Sequence, residues 1–326
     1  MKKRFSASAQ RMLLAGLVTI VQTSPALADS VFPNRPIKMI VPFSAGGATD
    51  VVARNVAERI GQQFGQPVVV ENKVGAGGNI AYEYVAKSHP DGYTILFGST
   101  GLATNASLYQ KLSYNAIKDF APISLVARSP HALVVHPSVQ ANTVQELVAL
   151  SKQKPLNYGS SGNGTILHLA GEMLKSNTGA NLIHVPYKGG SAAMADLLSG
   201  VIQLGFLDLS ISMPQIQAGK LKVLATTGET RAPTLPQIPT VAEAGVPGYA
   251  IDVWFAMFAP AGTSPAVVQK LNQSTMAVLK DPGLQQKMQA IGQTLQPSTS
   301  EQLGQFLRSE TRRIGAIVKS AGATVE

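Results

Sequence analysis

The fold is decided by residues 37–60, IKMIVPFSAGGATDVVARNVAERI. The first five residues are apolar enough for a buried strand, and Gly46 and Gly47 permit a sharp turn because glycine adopts backbone angles that other residues avoid. Aliphatic residues then recur at helical spacing, so the segment predicts a strand, a turn and a helix. The start of such a helix presents backbone N–H groups at the positive end of the helix dipole, which suits a carboxylate or phosphate oxygen.

The N-terminus has the composition of a secretory signal peptide. Basic residues at positions 2–4 precede an apolar run at 12–21, and Ala26-Leu27-Ala28 forms a small-x-small cleavage pattern. The apolar run is shorter than the ~20 residues that a membrane-spanning helix needs. We therefore expect a signal peptide at residues 1–28, cleavage after Ala28, no membrane insertion and a periplasmic location.

Composition narrows the class further. The chain has no cysteine, so an exported protein of this length must rely on its hydrophobic core, and a cysteine-linked lipid anchor is excluded. The formal net charge is +9, but four of the basic residues lie in the first 28 positions and no run of lysine or arginine follows. The modest excess of basic residues that remains after position 28 favours small anionic ligands and makes nucleic acid an improbable partner.

Strands and helices alternate along the chain, which predicts doubly wound, mostly parallel sheets in an α/β protein. An apolar segment at 123–136 is expected to leave one domain for a second, and a predicted strand at 251–259 returns to the first. Trp254 lies in that returning strand as either a core residue or part of a cleft wall. The predicted first domain is residues 29–127 plus 251–326, the second is 128–250, and a hinged cleft separates them.

Capping patterns mark four helix starts. Two are capping boxes and two place an N-cap residue before proline: Thr143-x-x-Glu146, Ser298-x-x-Glu301, Ser264-Pro265 and Asp281-Pro282.

Four glycine- or serine-rich loops follow predicted strands, at 44–47, 98–101, 159–165 and 186–190. Ligands of open parallel sheets bind at this edge, so the loops together predict a cleft lined with N–H and hydroxyl donors that holds carboxylates. Asp50 either contacts ligand or stabilises the helix start. A carboxylate at Asp208, at a strand end, would repel an anion but accept an ammonium or hydroxyl group.

Other chemistries lack their signatures. The loop at 159–165 has no lysine where a phosphate loop requires one. Ser160 or Ser161 with His168 and Asp208 suggests an exported serine hydrolase, but a nucleophile elbow would need glycine at Asn163, and His168 falls inside a helix. The histidines show no metal-ligand spacing. We therefore predict no catalytic residue, no metal and no cofactor.

Several motifs, in order, carry a resemblance to a known family: PFSAGG at 42–47, VEN at 70–72, GAGG at 75–78, PDGY at 90–93, VPYKGG at 185–190, AGKL at 218–221, PTVAEAG at 239–245 and APAGT at 259–263. The chain resembles the substrate-binding proteins of tripartite tricarboxylate transporters, the Bordetella uptake gene family. The family commonly has Phe-Asp-Asn where this chain has Phe206-Leu207-Asp208.

The resemblance implies a two-domain periplasmic binding protein of type II, the Venus flytrap fold. It also implies that backbone amides of the loops 43–47 and 160–165 hold a carboxylate-bearing metabolite. We expect a monomeric receptor that is not an enzyme and that serves inner-membrane transporter subunits or a sensor protein; an exported serine hydrolase using Ser161 is the alternative. The expected ligand-binding residues are Phe43, Ser44, Ala45, Gly46, Gly47, Asp50, Ser99, Thr100, Ser160, Ser161, Asn163, Thr165, Tyr187, Gly189, Gly190 and Asp208.

Overall fold

The computed structural model describes residues 32–187, 189–320 and 322. The predicted signal peptide and its cleavage site lie outside these residues. All features below belong to the unit that begins at Pro33.

The described chain contains strands and helices in alternation. The strands are β1 (Ile37–Val41), β2 (Val68–Asn72), β3 (Thr94–Ser99), β4 (Phe120–Ser129), β5 (His131–Val135), β6 (Leu156–Ser160), β7 (Leu182–Pro186), β8 (Leu204–Asp208), β9 (Lys222–Thr226), β10 (Val253–Pro260) and β11 (Thr294–Leu295). The helices are α1 (Ala48–Phe64), α2 (Asn79–Ala86), α3 (Gly101–Leu108), α4 (Val144–Gln153), α5 (Ile166–Thr178), α6 (Gly190–Leu198), α7 (Leu209–Gln217), α8 (Pro265–Leu279), α9 (Pro282–Gln289) and α10 (Ser300–Ser320).

The first sheet has six strands in the order β11-β4-β10-β3-β1-β2. β1 pairs in parallel with β2 and β3, as the opening stretch predicts. β10 runs antiparallel between β3 and β4, and β11 runs antiparallel to β4 at the edge. The sheet therefore contains the predicted returning strand, which occupies a central position.

The second sheet has five strands in the order β7-β6-β8-β5-β9. β6 is parallel to β7 and β8, whereas β5 is antiparallel to both of its neighbours. The apolar segment predicted to change domains divides at Pro130 into β4 of the first sheet and β5 of the second. The chain thus passes between sheets at Pro130 and again between β9 and β10. The predicted two-sheet α/β fold is confirmed, and both sheets are mixed, since five of the nine described strand pairings are antiparallel. The domain boundaries at 127/128 and 250/251 stay predictions.

Three of the capping patterns operate as expected. The Thr143 hydroxyl accepts from Glu146 N at 3.1 Å, and the side chains of Ser264 and Asp281 cap α8 and α9. The box predicted at Ser298 is wrong by one residue. Thr299 and Gln302 exchange the reciprocal bonds before α10, because the Ser298 hydroxyl is already bonded to Leu125 N of β4 at 2.9 Å.

Trp254 is a core residue. Its side chain is fully buried and meets the ring of Phe306 edge-on, with 5.5 Å between ring centroids. Its backbone N–H donates to the Thr100 hydroxyl at 2.8 Å, which ties β10 to the start of α3. None of the described helices combines the length and apolar character needed to cross a membrane.

Candidate functional site

A cavity of about 490 Å³ is lined by residues that follow strands of both sheets. Its wall includes the start of α1, the first two turns of α3, part of β10, the start of α5 and the end of β8. This volume matches a small organic ligand. The placement also agrees with the rule that ligands bind at the carboxyl ends of parallel strands.

Half of the predicted binding residues line this cavity. They are Phe43, Gly47, Ser99, Thr100, Ser161, Asn163, Thr165 and Asp208. They come from the loops after β1, β3, β6 and β8, so the structure brings all four of these strand ends to one cavity.

The other half lie beside the cavity without lining it. Ser44, Ala45 and Gly46 form the exposed outer part of the loop after β1, and Gly189 precedes α6. Tyr187 turns its hydroxyl away, donating to Asp196 Oδ2 at 2.7 Å; burial, followed by this bond, raises the pKa of Tyr187 to about 12. Gly190 adjoins the wall, since a Cβ added there would lie 3.5 Å from the Ser161 hydroxyl.

The Asp50 side chain stabilises the loop after β1. Its carboxylate is buried and accepts hydrogen bonds from Gly46 N at 2.9 Å, Arg54 Nε at 2.9 Å and Asn72 Nδ2 at 2.8 Å. Burial acts to raise the pKa of this carboxyl, but the hydrogen bonds, led by that from Arg54, outweigh it and the pKa is lowered. The hydrogen bonds of Asp50 hold Gly46 in place next to the cavity wall, and its contact with ligand stays a prediction.

Ser160 is fully buried behind the second loop. Its hydroxyl lies 2.7 Å from Nε2 of His184 and also bonds Gly162, so it fixes the shape of the loop. Burial and the adjacent His168 lower the pKa of His184 to about 4, which makes this imidazole a weak base at neutral pH. Although serine and histidine meet here, Ser160 is fully buried and His184 is a weak base, so the pair is poorly suited to nucleophilic chemistry.

The hydrolase hypothesis placed His168 beside Ser161, and the structure does not support this pairing. Nδ1 of His168 accepts from Gly164 N at 3.1 Å, and its ring stacks on His184 with 4.0 Å between centroids. His168 is a buried residue of α5, in agreement with its predicted place inside a helix.

Three helix starts open on the cavity. Gly47, Thr100 and Thr165 are the N-cap residues of α1, α3 and α5, and all three line the wall. The caps of α1 and α3 form no side-chain hydrogen bond to the helix, whereas the Thr165 hydroxyl accepts from His168 N. The N-terminal ends of three helices, where the helix dipole is positive, therefore border the same cavity.

Asp208 contributes the negative charge of the wall. It sits directly opposite His131 on the paired strands β8 and β5, and His131 Nε2 lies 3.2 Å from its Oδ1. Burial acts to raise the pKa of Asp208, but the hydrogen bond from His131 outweighs it and the pKa is lowered. The carboxylate is therefore ionised at neutral pH.

Several wall residues were not among the predicted ligand-binding residues. The unpredicted helix α3 and the strand β10 supply most of them: Gly101, Thr104, Asn105, Leu108, Tyr109 (just after α3), Val253 and Phe255. Ala48, Thr49, Gly77, Ser129, Gly164 and Ile166 complete the set. The family-like GAGG motif could have indicated one of them. A Cβ at Gly77 would lie only 2.7 Å from the Tyr109 hydroxyl, so the motif marks a close approach between this loop and Tyr109.

Metal ligands are not grouped in the described part of the chain. Across residues 32–187, 189–320 and 322, no three His, Asp or Glu side chains come together as a metal site would require.

The two-sheet α/β fold, with two chain crossings and a ligand-sized cavity lined from both sheets, defines the class of periplasmic solute-binding proteins. The chain belongs to the tripartite tricarboxylate transporter receptor family, whose model matches residues 52–323. The family predicted from the sequence motifs is confirmed, and the hydrolase alternative is not favoured.

Relatives and solved structures agree with this assignment. Protein BugT of Bordetella pertussis is 36% identical over 307 residues, covering 93% of this chain and 94% of BugT. The structure of R. palustris Rpa4515 with adipate is 37% identical, covers 90% of this chain and 99% of that one, and superposes with a TM-score of 0.77. MatC from Rhodopseudomonas palustris, with bound malate, is 29% identical, covers 88% and 100% of the two chains, and has a TM-score of 0.73. These matches confirm the predicted two-domain binding-protein fold.

Proposed function

We propose that the chain captures a small carboxylate in the cavity described above and presents it to the membrane subunits of a tripartite tricarboxylate-type transporter. The observation that carries the proposal is the convergence of three helix starts, those of α1, α3 and α5, on one ligand-sized cavity. The adipate of Rpa4515 and the malate of MatC support carboxylates as the ligand class.

The physical basis is anion binding by the ends of helices. The described residues of the cavity wall include no lysine or arginine, and they offer a carboxylate backbone N–H groups, helix dipoles and hydroxyl groups. Within the described part of the chain, the side chains of Ser161 and Asn163 form no hydrogen bond to other residues, which leaves both available to a ligand.

Ligand capture involves closure of two bodies about the chain crossings. We assign these bodies to residues 29–127 with 251–326 and to residues 128–250. A ligand that contacts both bodies binds the closed form better, and this difference in affinity drives closure. We further propose that residues 1–28 are removed on export, and that the mature receptor works as a monomer in the periplasm.

Calorimetric titration and thermal shift with a panel of mono-, di- and tricarboxylates and amino acids test the proposal. A ligand at a hundred times its dissociation constant stabilises the folded state by about 2.7 kcal/mol. Absence of binding by every member of the panel would contradict the carboxylate assignment.

Gly47 tests where the ligand binds. Its backbone has an ordinary φ of −74°, and an added Cβ would only touch Ser44 O at 3.4 Å, so the fold accepts a side chain there. We expect Gly47→Phe to abolish binding by filling the cavity at the start of α1, while its melting temperature stays close to that of the wild type. Gly47→Ala is the matched control and should retain most of the affinity. Wild-type affinity in Gly47→Phe would show that the ligand lies elsewhere.

A further inference from the structure

The described residues of the cavity wall carry charge of one sign. Among the described residues that line it, Asp208 is the one with a carboxyl group, and none has a positively charged side chain. The Asp208 side chain keeps 44% of its surface exposed, whereas its partner His131 is only 2% exposed. The carboxylate is therefore the accessible member of the pair.

Asp208 is held in place from two directions. Its strand partner His131 contacts Oδ1, and the residue is also the N-cap of α7, where the helix dipole stabilises a negative charge. The other oxygen, Oδ2, is on the side of Gly190, since a Cβ added at position 190 would lie 3.7 Å from it. The carboxylate thus has one oxygen engaged with His131 and the other facing Gly190.

Gly190 leaves a small niche between two acceptors. The same added Cβ would lie 3.5 Å from the Ser161 hydroxyl, and both Ser161 and Asp208 line the cavity. The added Cβ would also lie 3.1 Å from Cδ1 of Ile211, so the space beside Gly190 is bordered by a carboxylate oxygen, a hydroxyl oxygen and one methyl group. That arrangement fits a hydrogen-bond donor with a positive charge.

We propose that this niche holds a cationic nitrogen of the ligand, so that the receptor selects small zwitterions, such as amino acids, over acids of the same length that lack an ammonium group. This inference rests on the proposed carboxylate-binding function: the ligand's carboxylate lies at the helix starts, and its ammonium group lies against Asp208 and Ser161.

Electrostatics explains the preference. A ligand that displaces water from the cavity also removes water from Asp208, which is costly for an unpaired carboxylate and is offset when an ammonium group takes the place of the water. A ligand whose only charges are negative leaves Asp208 facing like charge in a region of reduced dielectric. A hydroxyl group at the same position donates one hydrogen bond without neutralising the charge.

Matched ligands test the inference. Succinate, malate and aspartate differ only in carrying hydrogen, hydroxyl or ammonium at C2, and glutarate and glutamate form a second pair. By calorimetric titration of the mature protein we expect an amino acid to bind at least about tenfold more tightly than its partner without nitrogen. Asp208→Asn should reduce this ratio by about tenfold or more. Asp91→Asn should keep it, because Asp91 is similarly exposed and paired with Arg35 but does not line the cavity.

Gly190→Ala provides a second variant in case Asp208→Asn folds poorly. Its new methyl group would enter the niche, meeting the flexible end of Ile211 at 3.1 Å, and it should weaken the amino acids more than the acids without nitrogen. Equal wild-type affinities within both pairs, or an unchanged ratio in a folded Asp208→Asn or Gly190→Ala variant, would overturn the inference while leaving the carboxylate function intact. Failure of every acid to bind would overturn both.

Discussion

Replacing Asp50 with asparagine tests how much its hydrogen bonds stabilise the loop after β1. Oδ2 of Asp50 accepts from Gly46 N and Arg54 Nε, and Oδ1 accepts from Asn72 Nδ2. An asparagine side chain offers one acceptor and one donor group. If its oxygen serves Gly46 and Arg54, its amino group faces the amino group of Asn72, and the opposite orientation is worse because two donors then lose their acceptor.

The expected cost follows from these contacts. Leaving one buried donor without an acceptor costs about 1–3 kcal/mol. The lost charge of Asp50 adds less than about 1 kcal/mol because Arg54 is half exposed. We therefore expect Asp50→Asn to lower the free energy of unfolding by about 2 kcal/mol, which corresponds to about 3 °C in melting temperature for a chain of this size. Ligand affinity should change little, because in the favoured orientation the asparagine oxygen still accepts from Gly46 N.

Differential scanning calorimetry with and without ligand measures both effects. Asp91→Asn is the control, since its exposed ion pair with Arg35 contributes less than about 1 kcal/mol. A melting temperature for Asp50→Asn within about 1 °C of the control, equivalent to less than about 0.5 kcal/mol, would refute the reasoning. The pH dependence gives a second check: because the pKa of Asp50 is lowered in the folded state, its stabilisation is complete above the unfolded pKa of about 3.9 and is lost as the pH falls through the folded value. The difference between wild type and variant should therefore shrink in acid.

Two further predictions concern packing and titration. Gly171→Ala places a Cβ 2.2 Å from the buried ring of Tyr158 and should cost about 2 kcal/mol or more, whereas Gly304→Ala meets its nearest neighbour at 3.5 Å and should stabilise α10 by up to about 1 kcal/mol; thermal melting of the two variants would contradict this if their order were reversed. His184 should titrate near pH 4 in nuclear magnetic resonance spectra, and since the unfolded histidine takes up its proton near pH 6.5, stability should decline as the pH falls between these values. A His184 midpoint above pH 6 would contradict the lowered pKa of this partly buried ring.

The opening stretch shows what sequence could establish. Apolar strands that end in glycine or serine loops predicted the parallel strands and also the sheet edge at which a ligand binds, because the carboxyl ends of parallel strands in one sheet lie along the same edge. The loops at 44–47 and 159–165 were therefore identifiable as strand ends from local pattern, whereas the expectation that residues 43–47 and 160–165 hold one ligand came from the resemblance to the family. The long apolar segment that divides at Pro130 likewise indicated that the chain passes from one sheet to the other.

The rest of the wall depends on contacts that no local pattern encodes. Helix α3 is composed mainly of small and apolar residues with no charged face, so its periodicity was not visible, and Thr104 and Asn105 were missed with it. Phe255 lies in a strand that is buried throughout, and its sequence pattern gives no sign that one side borders a cavity. For Asp50, the dipole argument was available, but its three hydrogen-bond donors lie on separate segments of the chain.

The central position of β10 has a consequence for synthesis. The hydrogen bond between Trp254 and Thr100 joins residues 154 positions apart, and β3 and β4 share no neighbour until β10 is made. Contacts of such long separation form late, because closing a large loop costs entropy before any pairing rewards it. The nascent chain therefore keeps its first sheet incomplete, with open strand edges, until most of it has left the ribosome. The first sheet is therefore completed late, and a chain that is still partly unfolded suits the export step proposed above.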